Sequence, residues 1–314
     1  MSKKFKHVLI SLALASVVTV SAAASACTIK TKHPRAKITI EFNDETYDIE
    51  YTLYRNMYPK TVQHFIELAD EGFYDNMIIH NYSSTDWYTG GYSYSDSSET
   101  LSYSGAYDSN SMREYLETYC KEEAYYSLAG KLSPSVYKQL RYDGDKEIVS
   151  NEDVLPTLIG EFKNNDHNIE KGALTADYGT LKMYYYDKGA DNHQKVAIVN
   201  SFDQILEHDY RYNCATSIFA IQTSESSSIN ENNYCVFARL RNDKARNTLN
   251  SLADAVTDYI SDNYSNTSRN FTTSITTQVD NLDSFAGEGG QAMDATFSVT
   301  AKPIIVKSVK ITKY

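Results

Sequence analysis

From residue 36 to residue 42 apolar and polar side chains alternate: Ile38, Ile40 and Phe42 share one face, Lys37, Thr39 and Glu41 the other. After Asn43-Asp44-Glu45 the alternation resumes, with Tyr47, Ile49, Tyr51 and Leu53 set against Asp48, Glu50 and Thr52. Two period-two runs around a short polar break predict an antiparallel hairpin. The period then changes. Val62, Phe65, Ile66 and Ala69 recur at helical spacing, after Pro59 at a suitable first helical position and before Gly72 as a C-terminal stop. An aromatic turn, Phe73-Tyr74-Asp75, leads into a third strand over residues 77–82, in which His80 ends an apolar run. The pair Gly90-Gly91 begins ten residues after His80.

Beyond Gly91 the periodicity lapses. Residues 92–110, rich in Ser, Tyr, Asp and Gly, read as an exposed loop. Ser111-Met112-Arg113-Glu114 has the form of a capping box, and Met112, Tyr115, Leu116 and Tyr119 predict a helix to near Leu128. Residues 134–142 read as another helical turn or two, and residues 153–162 fit either helix or strand. Val196 to Val199 is a strand candidate. Asn242 or Asp243 can cap a long helix with Ala245, Leu249, Leu252, Ala253, Val256 and Ile260 on its apolar face. Residues 261–292 read as a loop with one strand.

Composition changes this picture in three ways. With 314 residues and 41% hydrophobic content, the chain can build one large domain or two small ones. Its formal net charge of −11 argues against nucleic acid as a partner, because phosphate contacts need Lys and Arg. Residues 1–26 have the form of a signal peptide: Lys3, Lys4 and Lys6, then an apolar stretch from Val8 to Val20 too short for a typical span. Ala24-Ser25-Ala26-Cys27 resembles a bacterial lipobox, which predicts acylation of Cys27 and a membrane anchor; an ordinary A-x-A cleavage site is the alternative. Either form predicts export. Of the other cysteines, Cys214 and Cys235 are the better-matched disulfide pair, but the odd number of Cys120, Cys214 and Cys235 favours buried free thiols.

The order of segments in residues 59–91 resembles the N-terminal signature of cyclophilin-type peptidyl-prolyl isomerases: P-K-T-V..F..L-A..G-F-Y-D, a strand ending in His, then Gly-Gly. Further along, Lys171-Gly172-Ala173-Leu174-Thr175-Ala176 resembles the family's G-x-L-S-M-A strand. Thr216-Ser217-Ile218-Phe219-Ala220-Ile221 resembles its G-S-Q-F-F-I strand, and Tyr234 to Leu240 its H-x-V-F-G-R-V strand. Residues 302–311 look like its last strand, which pairs back to the first. The resemblance implies a mainly β fold, a closed antiparallel β-barrel capped by two helices with a partly helical insertion. It places a linker at residues 27–35 and the domain at 36–314, with insertions at about 92–170 and 180–213.

A cyclophilin lowers an amide-rotation barrier of about 18–20 kcal/mol. It grips the proline ring in an apolar pocket while an Arg donates to the prolyl nitrogen. By resemblance that Arg belongs at Asn81, which carries no charge and has a shorter reach. The pocket Phe falls on Asp86, with Trp87 able to take over part of the wall, and the family Gln falls on Thr89. The Ala and Asn that touch substrate backbone fall near Asp177 and Tyr178. The second Gln is Ile218, the second Phe is Ala220, the Trp falls near Ile229, and the pocket His is Tyr234. With every principal substrate residue changed, the resemblance implies an isomerase of exported proteins with weak or lost activity.

The alternative is a non-catalytic peptide-binding or chaperone module on the same scaffold, using the old groove and the ten tyrosines between residues 82 and 126. Partners on the first reading are proline-containing segments; the protein is expected to be a monomer at the extracytoplasmic face of a membrane. His80 reads as core packing. His64, His167, His193 and His208 lack metal-ligand spacing, and no metal or other cofactor is implied. Arg113, Arg141 and Arg211 are candidates to fill the place left by Asn81.

Overall fold

Strand β1 (Arg35–Phe42) and strand β2 (Glu45–Leu53) pair antiparallel, with Ile38 opposite Ile49 and Ile40 opposite Tyr47. The two-residue link has positive φ at both positions, 51° at Asn43 and 66° at Asp44, the left-handed values that a tight hairpin turn of matching twist requires. In this computed structural model the described residues are 31–91, 137–141, 155–163, 167, 169, 172, 174–183, 195–199, 205–209, 214–215, 217–225, 235–264, 271–279 and 293–314.

Helix α1 (Pro59–Asp70) starts on proline and buries Thr61, Val62, His64, Phe65, Ile66, Leu68 and Ala69. Gly72, at φ 67°, ends it; Gly72 N–H donates to Ala69 and Phe73 N–H to Leu68. The Phe65 ring sits 5.2–5.4 Å from those of Tyr74, Phe219 and Phe237, which fixes α1 against the sheet. The N-terminus of α1 has no capping side chain of its own. Glu161 supplies one from a hundred residues away, accepting from the N–H of Thr61 at 2.8 Å and of Lys60 at 3.2 Å. His167 lies beside it, with Nε2 2.8 Å from the Met57 carbonyl and its ring stacked on Tyr58.

The main sheet also contains β3 (Met77–Ile78), β4 (Asn81–Tyr82), β5 (Asp86–Thr89), β8 (Leu181–Met183), β12 (Phe219–Gln222), β13 (Cys235–Leu240) and β16 (Ile305–Lys313). Its nine strands run in the order β3-β16-β1-β2-β13-β8-β12-β5-β4. β16 pairs with β1, as the resemblance implies. The edge strands β3 and β4 do not pair with each other. They are consecutive in the chain, and the link between them is tied to both sides: Ile79 N–H donates to Ile304 and His80 N–H to Tyr88. The barrel is therefore only partly closed, where full closure was expected. Helix α2 (Asp243–Tyr264) is capped by Asn242, whose Oδ1 accepts from Ala245 N–H at 3.0 Å, and buries Ala245, Leu249, Leu252 and Val256.

The insertions differ from the expectation. Residues 134–142, read as helical, contain strand β6 (Tyr137–Arg141), and the ambiguous 153–162 contains β7 (Leu155–Ile159). With β9 (Lys195–Val199), β10 (Ile205–Asp209) and β11 (Cys214–Ala215) they form a second sheet, ordered β10-β9-β6-β7-β11. β6 is extended because it has a strand on each side, β7 and β9. Strands from the two spans expected as insertions thus share one sheet, with β6 and β7 from the first paired to β9 and β11 from beyond it. β8, which falls inside the span expected as the second insertion, lies in the main sheet. The helix expected over 111–128 lies outside the described residues. Between α2 and β16, strand β14 (Thr272–Val279) pairs with an unforeseen β15 (Met293–Thr300).

Candidate functional site

The site expected from the sequence lies on the ladder β4-β5-β12-β8. Register fixes which side chains share a face: Asn81 is opposite Tyr88, Tyr88 opposite Ala220, and Ala220 opposite Lys182. Asp86, two residues from Tyr88 and opposite Gln222, is on that face too. The other face belongs to the core. There Trp87, Ile221, Leu181, Phe219 and Met183 join the main apolar cluster.

This alternation corrects two assignments. Trp87 is 2% exposed, stacks on Tyr82 and sits in the core, so it forms no groove wall. Thr89 is fully buried, and its hydroxyl donates to the Ile78 carbonyl at 3.0 Å, so it faces away from any substrate. Asn81 and Asp86 lie on the opposite face of the ladder, both half-buried.

A third correction concerns β8. Residues 174–176, read as the family's G-x-L-S-M-A strand, form no strand. The strand between β12 and β13 is Leu181-Lys182-Met183, led by Gly179 at φ 78°. Asp177 and Tyr178 therefore precede it. Asp177 is exposed and lies 3.5 Å from Arg239, and Tyr178 lies beneath the Arg246 guanidinium, 5.0 Å from its ring centre. The Gly-x-Leu-x-Met spacing falls at Gly179-x-Leu181-x-Met183, and pairing with β12 puts Lys182 on the face of Ala220 and Asp86.

Lys182 was not foreseen, and it is central. Its side chain is 3% exposed and reaches across β12, on the face that carries Ala220, to pair with the 17%-exposed Asp86. The second Asp86 oxygen is 3.2 Å from the Thr85 hydroxyl, and the Asp86 N–H donates to Ser83 Oγ at 3.0 Å. A hydroxyl-rich turn thus holds the carboxylate, and Thr223 N–H ties that turn to the end of β12 through Thr85 O at 2.8 Å.

The Gly-Gly pair serves packing. A Cβ on Gly90, at φ 91°, would lie 2.4 Å from the Ser217 carbonyl, and one on Gly91 would press on Ile218 and His80. Ser217 Oγ donates to Gly90 O at 2.6 Å, which brings Ile218, itself buried, against the pair. His80 is 4% exposed, and burial pushes its imidazole down to about 3, so it is neutral near pH 7. Cys235 is a buried free thiol, its Sγ 3.5 Å from Thr61 Oγ1, and burial pushes it well above the usual thiol range.

Ile229, Tyr234, Cys27, Cys120, Arg113 and Arg211 lie outside the described residues, as do eight of the ten clustered tyrosines. Arg141 is on β6, in the second sheet rather than the barrel. Among the described residues no group of three or more His, Cys, Asp or Glu could hold a metal ion.

The chain was compared with known proteins. No curated protein matches it. Among solved structures it is similar to a cyclophilin-type peptidyl-prolyl cis-trans isomerase of Cryptosporidium parvum, at 15% identity and TM-score 0.40, covering 90% of this chain and 99% of that one. The same protein in the presence of the dipeptide Ala-Pro gives 15% identity and TM-score 0.38, covering 89% and 99%. The Mimivirus cyclophilin gives 12% identity and TM-score 0.33, covering 72% and 81%. Residues 37–276 match the family model described as "Cyclophilin type peptidyl-prolyl cis-trans isomerase/CLD". With most of its length inside that match, the chain belongs to the cyclophilin-type peptidyl-prolyl cis-trans isomerase family.

Proposed function

We propose that this protein is a member of the family whose isomerase activity is weak or lost, and that it serves exported proteins at the outer face of a membrane. What supports the reading is the set of residues that falls at the family's substrate positions by resemblance. The position of the charged donor holds Asn81, and the positions of the two pocket phenylalanines hold Asp86 and Ala220. Losing one preorganised donor to the transition state costs about 10²–10³ in rate. Losing the pocket as well removes the positioning on which a non-covalent mechanism depends.

A protease-coupled assay with a prolyl tetrapeptide tests this: turnover at least about a hundredfold below an ordinary cyclophilin is expected, and ordinary turnover would refute it. The Asp86–Lys182 pair, standing where an apolar ring would sit, supports the second reading, a peptide-binding or chaperone module that does not isomerise. Anchoring through an acylated Cys27 rests on the sequence of the first 27 residues. Mass spectrometry of the mature N-terminus should find a diacyl- or triacyl-modified Cys27; an unmodified cysteine would remove the anchor.

A further inference from the structure

Charge is spread unevenly over the main sheet. Arg35 and Lys37 alternate with the buried Ala36 and Ile38, so they share the outward face of β1. Across that face, Arg35 stands opposite Lys313 and Lys37 opposite Lys310 of β16. Like charges directly opposite each other are destabilising, yet two such pairs lie side by side in a chain of formal net charge −11. The face is open to solvent: Lys310 and Lys313 are exposed, and Lys37 is 32% exposed. The row of Arg35 continues through Thr52 of β2 to Arg239 of β13. The acids among these cations are already engaged. Asp48 pairs with Lys37 at 2.7 Å and also feels the charge of Lys310; Glu50 pairs with Arg241, and Asp177 with Arg239 at 3.5 Å. Among the described residues no carboxylate forms an ion pair with Arg35, Lys310 or Lys313.

The chain leaves for Cys27 from beside this face. Thr31 N–H donates to the carbonyl of Tyr314, next to Lys313, at 3.0 Å, and the Thr31 carbonyl accepts from Arg55 at 3.0 Å. Cys27 is four residues upstream, so an acyl anchor there stands within about 14 Å of Thr31. An anchor holds one point of a body and leaves it free to turn. An acidic body held that close to an anionic surface is repelled except where it shows cations. We infer that the outward face of β16 and β1, with Arg35, Lys37, Lys310 and Lys313, is the surface on which this protein lies against anionic lipid headgroups. The direction of approach rests on the reading of Cys27 as an anchor; the charge of the face is independent of it. In the strand order β12 is four strands from β1 and five from β16, so this pose turns the β5-β12-β8 ladder away from the lipid.

The test is co-sedimentation of the mature chain from Cys27 to Tyr314, made without the signal peptide and so without acyl chains. The vesicles are phosphatidylcholine alone, or phosphatidylcholine with about one-third phosphatidylglycerol. The anionic vesicles should bind the protein at least about tenfold more strongly, and added salt should release it. The triple variant Arg35→Gln, Lys310→Gln, Lys313→Gln should lose about a hundredfold, roughly fivefold per cation. Its Tm should be unchanged or raised, because two like-charge pairs are relieved. The double variant Lys163→Gln, Lys302→Gln removes cations that belong to neither strand and should lose less than about threefold. A wild type without preference for the anionic vesicles, or a triple variant that loses no more per charge than the control, overturns the inference. Should the triple variant not fold, Lys310→Gln alone, at an exposed position, should lose about fivefold, and undiminished binding overturns the inference as well. An unacylated mature N-terminus ends the reading of the anchor, while the vesicle comparison still decides this one.

Discussion

The inner and outer faces of the β5-β12-β8 ladder differ as two proteins might. The inner face is Trp87, Ile221, Leu181, Phe219 and Met183, all in the main core. The outer face, on the same three strands, is Asp86, Tyr88, Ala220, Gln222 and Lys182. Strand alternation lets the two diverge independently, because a change on one side does not touch the packing of the other. The core packing is carried by one set of positions, and the interleaved set is left free to differ.

The comparison can be broken at its strongest point first. Phe65→Ala empties the inner side where four aromatic rings meet and should cost about 4 kcal/mol in a denaturant melt. A cost below about 1 kcal/mol would mean that the inner face is not the stabilising one. On the opposite face, Asp86→Ala removes the carboxylate paired with the nearly buried Lys182 and should cost about 3 kcal/mol, part of it recovered in the double variant with Lys182→Met. Equal losses in single and double variants would show that the two residues do not act as a pair.

His80 gives a pH signature. The folded protein holds it neutral down to about 3, whereas the unfolded imidazole protonates near about 6.5. Its contribution is full above about pH 6.5 and is lost as pH falls toward about 3. By about pH 4.5 the loss should be roughly 2–3 kcal/mol, and His80→Gln should flatten the urea-melt midpoint across that window. The smallest effect concerns the cap of α1: Glu161→Ala, which removes it, should cost about 1 kcal/mol. It should also speed hydrogen exchange at Lys60 and Thr61 ahead of the rest of α1.

Elements set by nearby residues were legible in the sequence: the hairpin, α1 between Pro59 and Gly72, and α2 after Asn242. Elements set by distant partners were not. β6 is a strand because β7 and β9 flank it, and no local periodicity announces a neighbour some sixty residues away. In the site, counting between His80 and Gly90 picked out Asn81 and Asp86, which the ladder brings onto one face. Trp87 and Thr89 were misassigned by matching letters without following the alternation that turns them inward. Lys182 was missed because Leu174 was taken for Leu181, two Gly-x-Leu-like segments seven residues apart, and only pairing with β12 and β13 separates them.

The pairing of β1 with β16 has a kinetic consequence. Arg35 is matched to Lys313, so the first strand finds one of its two neighbours nearly the whole chain away. Contacts of such separation are slow to form, because loop closure costs entropy before the contact repays it. Until β16 arrives, β1 is an open edge able to recruit another chain. A protein that crosses a membrane unfolded would spend that interval exposed, and removal of β16 would leave a permanently sticky hairpin rather than a smaller barrel.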